Sequence, residues 1–223
     1  MKEMTSKLIV IDGMDSSGKA TQTELLIKRL NENNIQTEKA DFPQYNNPSS
    51  IFVQKYLNGE FGEAHEVNPQ TASLFYALDR YAAAKQLKIW LSNNKTIIAN
   101  RYTPANQAYQ GSKINDKSER TKFLQWLDNI EHNTLGIPRP TKVIFLHVPV
   151  ETSQKLMETR DQKLYIKEGK KDIHEKNVEF LKSTEQVYLD LAKTNGWSII
   201  ECIKNGKLLS KEEIHELVWK EVN

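Results

Sequence analysis

The chain has 223 residues, with 31 Lys or Arg against 29 Asp or Glu and a formal net charge of +2. That length builds a full core without disulfides or a structural metal, and 38% hydrophobic with 27% charged residues excludes a disordered or low-complexity chain. The balanced charge argues against a nucleic-acid or membrane surface, and the single cysteine, Cys202, cannot form an internal disulfide. Short apolar runs alternate with longer amphipathic stretches, which predicts an α/β domain with a mainly parallel, five-stranded sheet. In chain order the predicted elements are strand Lys7–Asp12, helix Thr21–Asn31, strand Gln36–Ala40, a loop over Phe42–Ser50 overlapping a short helix around Ser49–Leu57, and a long helix over Pro69–Leu91. Then come strand Thr96–Asn100, helix Ser118–His132, strand Lys142–His147, helix Val150–Thr159, helix Asp172–Asn195, strand Trp197–Glu201 and helix Ser210–Val222. Ser210 with Glu213 three residues on is a capping-box signature for the last helix. No repeat or linker divides the chain, so one domain over 1–223 is expected. No apolar run approaches the roughly 18 residues of a membrane span. Lys2, Glu3 and Lys7 break up any signal-peptide core, and a soluble, cytoplasmic protein is expected.

Directly after the first strand stands Gly13-Met14-Asp15-Ser16-Ser17-Gly18-Lys19, followed by Ala20-Thr21 and an apolar helix. The spacing G-x-x-x-x-G-K between strand and helix is that of a P-loop. Glycines let the backbone curl so that successive N–H groups point inward, and the helix N-terminus adds partial positive charge. Lys19 then reaches the β- and γ-phosphates of a nucleotide. The Ser or Thr whose hydroxyl usually holds Mg²⁺ after the lysine is Ala20 here, and Thr21 comes one residue late. The loop therefore predicts ATP phosphates firmly and the metal shell poorly.

Motors, switches and kinases all use such loops, and no Asn-Lys-x-Asp guanine-reading segment follows the later strands. Four further segments narrow the choice. They are Phe42-Pro43-Gln44-Tyr45 after the second strand, Leu74 to Tyr81 on the long helix, Asn100-Arg101-Tyr102 after the third strand, and Asn106 with Tyr109-Gln110-Gly111 beyond it. With the P-loop, in this order, they resemble the thymidylate (dTMP) kinase family of P-loop nucleoside monophosphate kinases, from about Lys7 to Ala192. The resemblance implies a three-layer α/β/α fold and ATP-dependent phosphorylation of dTMP. It implies that Asp15 approaches the acceptor sugar and the metal, and that Phe42 and Pro43 wall the base pocket, with a cis proline. It places Tyr45 near the acceptor phosphate, Tyr76 on the thymine ring and Arg80 at its O4. It gives Arg101 the acceptor phosphate, Asn106 the N3–O4 edge, and Tyr109 with Gln110 the ribose and base. The residue types alone leave plainer roles open: a loop aromatic at Tyr45, core packing at Tyr76, a surface ion pair at Arg80. Leu74, Ala77 and Leu78 argue against the last by predicting a largely buried helix.

Many members carry Asp where this chain has Asn100. With Ala20, that leaves two metal-side groups neutral or absent, so Mg²⁺ is expected to rest on phosphates, water and Asp15. No arginine lies inside the P-loop; the resemblance to members of that kind implies that a basic lid, here over about 160–171, meets the charge on the transferred group. Arg160 leads there, with Lys163 next, although such a run is more commonly a solvated helix face. Another (deoxy)nucleoside monophosphate kinase and a catalytically impaired nucleotide-binding relative stay open as alternatives. The family implies a homodimer through helices, to which Pro69–Leu91 contributes. The five histidines show no metal-ligand spacing.

Overall fold

The computed structural model describes residues 7–158, 173–174 and 177–223. Its elements are β1 (Leu8–Gly13), α1 (Lys19–Glu32), β2 (Thr37–Asp41), α2 (Ile51–Leu57), α3 (Pro69–Ser92), β3 (Thr96–Asn100), α4 (Thr103–Gly111) and α5 (Lys117–Asp128). They continue with β4 (Lys142–His147), α6 (Val150–Glu158), α7 (Val178–Asn195), β5 (Ser198–Glu201), the short β6 (Ile203–Lys204) and β7 (Lys207–Leu208), and α8 (Lys211–Val222). Five strands form one sheet in the order β2-β3-β1-β4-β5, parallel throughout. Every residue of β1 is buried, because helices cover both faces of the sheet. Ile9 and Ile11 pack with Leu26 and Leu30 of α1 and Ile214 and Val218 of α8. Leu8 and Val10, one residue out of phase, join Ala84 and Leu87 of α3 in a second cluster. This alternation is what a strand sandwiched between two helical layers requires.

The chain leaves β1 toward β2 and β3 on one side and reaches β4 and β5 on the other. A crevice therefore opens at the carboxyl end of β1, where open α/β sheets bind their ligands. Gly13 ends that strand, and the site follows from this placement.

Several boundaries depart from the sequence expectation. Helix α1 starts at Lys19 rather than Thr21, since Gly18 in the left-handed region (φ 85°) turns the chain directly into it. Helix α4 was not expected, because buried polar residues Asn106 and Gln110 interrupt its apolar pattern. Helix α5 ends at Asp128 and widens into a π-helical turn over Asn129–Thr134. Ile173 and His174 form a turn, and α7 begins only at Val178, where Asn177 caps it by accepting from Phe180 N at 3.0 Å. Inside the expected loop after β2, Pro48–Ser50 forms a single 3₁₀ turn. The capping box is present: Glu213 N donates to Ser210 Oγ at 3.1 Å and Ser210 N to Glu213 Oε2 at 2.8 Å. The expectation of a largely buried α3 is corrected. Ala77 and Arg80 face inward, but Leu74, Leu78, Tyr81 and Ile89 are exposed along the outer face.

Candidate active site

The phosphate loop is built from backbone. Gly13 sits at φ 151°, and a Cβ there would lie 2.6 Å from the carbonyl oxygen of Leu146 on the neighbouring strand. Ser16 (φ 59°) and Gly18 (φ 85°) take the left-handed region that lets the loop curl. Lys19 is buried and folds back so that Nζ donates to Met14 O at 2.6 Å. Beneath the loop, Asp12 is fully buried and its Oδ1 accepts from Gly13 N and from Tyr188 Oη, each at 2.8 Å. Burial holds the Asp12 carboxyl above its ordinary value, although Arg101 and Lys19 pull it down.

Arg101 stands at the end of β3 with φ 63°, a conformation that costs energy in any residue but glycine and that marks functional sites. Its backbone N donates to Ile11 O at 3.0 Å, which ties it to the base of the P-loop strand. Its Nη2 donates to Asp15 Oδ1 at 2.5 Å, and the guanidinium lies 5.5 Å from the centre of the Tyr109 ring. Burial opposes the charge, yet Asp15 keeps the Arg101 pKa well above the ordinary value. The cation is permanent.

Beside the loop lies a cleft lined by Asp15, Phe42, Pro43, Tyr45, Tyr76, Arg80, Arg101, Asn106, Tyr109 and Gln110. All ten residues expected at the acceptor are thus brought together from two helices, α3 and α4, and the three loops after β1, β2 and β3. The Phe42–Pro43 bond is cis, as the resemblance implied. The loop carrying it is held by Asp79 on α3, which accepts from Gln44 N at 2.9 Å and from Ser49 Oγ at 2.5 Å. Tyr76 meets Tyr56 edge-on at 6.2 Å. Arg80 is in an ion pair, but a buried one: Nε and Nη2 each donate to Glu131 at 2.7 Å, with side-chain exposures of 3% and 1%. Asn106 Nδ2 donates to Glu131 Oε1 at 2.9 Å and to Ser73 O at 3.1 Å. Both amide atoms of Gln110 are buried with no partner.

A wider cleft continues from Asp15 over Ser16, Gly18, Lys19, Ala20 and Thr21 to Asp41 and Asn100. Asn100 Nδ2 donates to Asp41 Oδ1 at 2.8 Å, while its own Oδ1 is buried and unpartnered. Asp41, its register partner on β2, thus sets a carboxylate against Asn100. Met14 and Ser17 are buried within the loop and do not line this cleft. Arg160, Lys163 and the expected lid over 160–171 lie outside the described residues.

Sequence reasoning missed Glu131, Tyr102 and His174. Glu131 stands next to the end of the stretch Ser118–His132 whose pattern predicts a helix, where a single acid gives no signal. Tyr102 was visible beside Arg101 but carried no role; it is fully buried, lines the cleft and meets Phe42 at 5.4 Å. His174 was read as part of a helix. It lines the cleft, stacks on Tyr109 at 5.2 Å and its Nε2 lies 3.0 Å from Tyr56 Oη.

A P-loop at the centre of a parallel sheet, opening into a second cleft that ends in a strand-end arginine, defines a P-loop kinase of the nucleoside monophosphate class. Comparison with known proteins narrows this. The thymidylate kinase family model matches residues 11–215, and the chain belongs to the thymidylate kinase family. It is 26% identical to a thymidylate kinase of Plasmodium falciparum over 97% of this chain and 89% of that one. It is 30% identical to a probable thymidylate kinase of Methanocaldococcus jannaschii, over 93% of this chain and 90% of that one. The solved structure of thymidylate kinase from Candida albicans shares the fold, with a TM-score of 0.73 at 20% identity over 98% of this chain and 91% of that one.

Proposed function

We propose that the protein transfers the γ-phosphoryl group of ATP to dTMP, giving dTDP and ADP, as a step toward dTTP in the cytoplasm. The observation that carries this reading is the contact between the two clefts, where Arg101 at the acceptor side holds Asp15 of the P-loop at 2.5 Å. Phosphoryl transfer needs positioning and charge stabilisation more than covalent chemistry. The backbone amides from Gly13 to Thr21, with Met14, Ser16, Ser17 and Gly18 between, cradle the ATP phosphates, and Lys19 exchanges the Met14 carbonyl for them. Arg101 binds the dTMP phosphate in a bidentate, charge-assisted way, and Asp15 turns to the sugar 3′-hydroxyl. Tyr76 stacks on the base, Phe42 and Pro43 wall it, Tyr45 closes on the phosphate, and Tyr109 with Gln110 lines the sugar. Arg160 meets the charge that develops on the transferred group. The acceptor phosphate is already ionised near neutral pH, so no general base takes part.

Asp15 and Asp41 would hold Mg²⁺ in the cleft beside the P-loop, and the ion would supply positive charge against the phosphates of ATP. Asp15, Asp41 and Asn100 line that cleft, and oxygen donors of this type suit this ion. The exposed face of α3, with Leu74, Leu78 and Tyr81 at helical spacing, supports a homodimer built by a second copy. Among the described residues no helix is long and apolar enough to cross a membrane, and nothing in the charge balance calls for a nucleic-acid partner.

A coupled ADP-release assay with ATP, Mg²⁺ and a panel of dTMP, dUMP, dCMP, dGMP, AMP and thymidine tests the reaction. Turnover strongest with dTMP and lost in Arg101→Ala is expected. Turnover strongest with another monophosphate would keep the kinase and overturn the acceptor; no turnover with ATP still bound would favour an impaired relative, with Ala20 and Asn100 the first suspects. Sedimentation of the wild type against Leu78→Glu tests the dimer: a monomeric wild type overturns it.

A further inference from the structure

Glu131 is a carboxylate 1% exposed on the π-helical turn after α5, and among the described residues its side chain bonds to Arg80 and Asn106. A carboxylate only accepts hydrogen bonds. Glu131 takes Nε and Nη2 of Arg80 at 2.7 Å each, and Nδ2 of Asn106 at 2.9 Å. Ser73 O takes the same Asn106 nitrogen at 3.1 Å. The Asn106 amide is therefore fixed, nitrogen toward Glu131 and Ser73. Its oxygen is what remains, and that oxygen is buried without a partner in a side chain that lines the acceptor cleft. Arg80 lines the same cleft and, with Nε and Nη2 engaged, retains Nη1 as a donor.

We infer that Glu131 is a positioning residue that sets the hydrogen-bond polarity of the base-reading edge, a donor from Arg80 beside an acceptor from Asn106. This rests on the proposed pyrimidine monophosphate acceptor. A ring with a carbonyl next to an N–H, as at O4 and N3 of thymine or uracil, satisfies both groups. The 4-amino, bare-N3 edge of cytosine opposes both, and a buried polar group left unmade is what rejects a wrong ligand. Neutral glutamine at 131 lacks this control. Its amide offers both a donor and an acceptor, so only Ser73 O still holds the Asn106 nitrogen and the reversed amide competes with the native one.

The test compares wild type with Glu131→Gln, measuring kcat and KM separately for dTMP and dCMP, the ATP Kd by calorimetry, and the thermal melt. The variant is expected to raise KM for dTMP and to shrink the dTMP-over-dCMP ratio of kcat/KM about tenfold or more, because one correctly paired polar contact is worth that much. The ATP Kd is expected to stay within about twofold, because no contact to the P-loop is lost. A cooperatively melting variant whose ratio matches wild type overturns the inference. If Glu131→Gln gives no cooperative melt, Asn106→Leu decides: it keeps the ion pair and removes the acceptor, and an unchanged ratio again overturns the inference. A wild type that shows no preference for dTMP over dCMP sinks the pyrimidine reading as well, and that result comes from wild type alone.

Discussion

The nucleotide side and the acceptor side of this crevice are made in different ways. The P-loop is one stretch, Gly13 to Lys19, whose working groups are mostly backbone amides shaped by left-handed and glycine conformations. The acceptor cleft is made of side chains from α3, α4 and the loops after β1, β2 and β3, and a buried Glu131 from the π-helical turn after α5 holds two of them. A backbone site depends on conformation and tolerates changes of side chain wherever φ permits. A side-chain site depends on partners, and one lost partner disarms several residues.

The largest effect is expected where a side chain carries charge inside the backbone site. Lys19→Met should lower kcat by about 10³-fold or more, since charge stabilisation of the transferred phosphoryl dominates such reactions. A steady-state assay in which the variant stays within tenfold of wild type would break the assignment of Lys19. Arg101→Ala should raise KM for the acceptor and lower kcat/KM by about 10²-fold or more, as loss of a bidentate charged contact does. It should leave ATP binding by calorimetry near wild type, which separates the two sides of the crevice.

Gly13→Ala attacks the backbone directly. Its Cβ would meet the Leu146 carbonyl at 2.6 Å, so a loss of about 2–3 kcal/mol in urea unfolding is expected. Ser17→Ala changes only a side chain in the same loop and should cost far less, so equal losses would contradict the backbone account.

Two pH effects of opposite sign are smaller. His147 Nε2 lies 2.9 Å from Glu185 Oε1 and its Nδ1 lies 2.7 Å from Glu201 Oε2, both carboxylate acceptors. Its bond to Glu185, helped by Glu201, raises its pKa above 6.5 although burial opposes this. Because the folded value lies above the unfolded one, the stabilisation is complete below about pH 6.5 and is lost as pH rises through the raised value. Lys113 donates to Tyr56 Oη at 2.8 Å and Val67 O at 3.1 Å, and burial pushes its ammonium down to about 7. Here the unfolded chain binds the proton more tightly, so folding is penalised below about pH 7 and the penalty fades toward the unfolded value near 10.5. Melting curves of His147→Gln should converge on wild type at high pH, and those of Lys113→Met should gain most at low pH. Parallel shifts at all pH values would contradict both.

The sequence by itself determined the alternation of strands and helices, the P-loop between the first strand and the first helix, and the capping box at Ser210. These are local: periodicity, glycine placement and short spacing write them directly into the chain. The acceptor residues were legible only because four spaced segments together match a family pattern. The clustering of all ten around one cleft depends on the sheet order. Helix α4 stayed hidden because Asn106 and Gln110 are buried for their polarity, against the apolar rule for helix faces. The exposure of Leu74 and Leu78 was misjudged because an apolar helix reads alike whether its faces are covered or not. Glu131 left no mark at all. It lies 51 residues from Arg80 and 25 from Asn106, and only the tertiary structure decides which buried cation an acid will meet, since a hydrogen bond depends on distance in space and not along the chain.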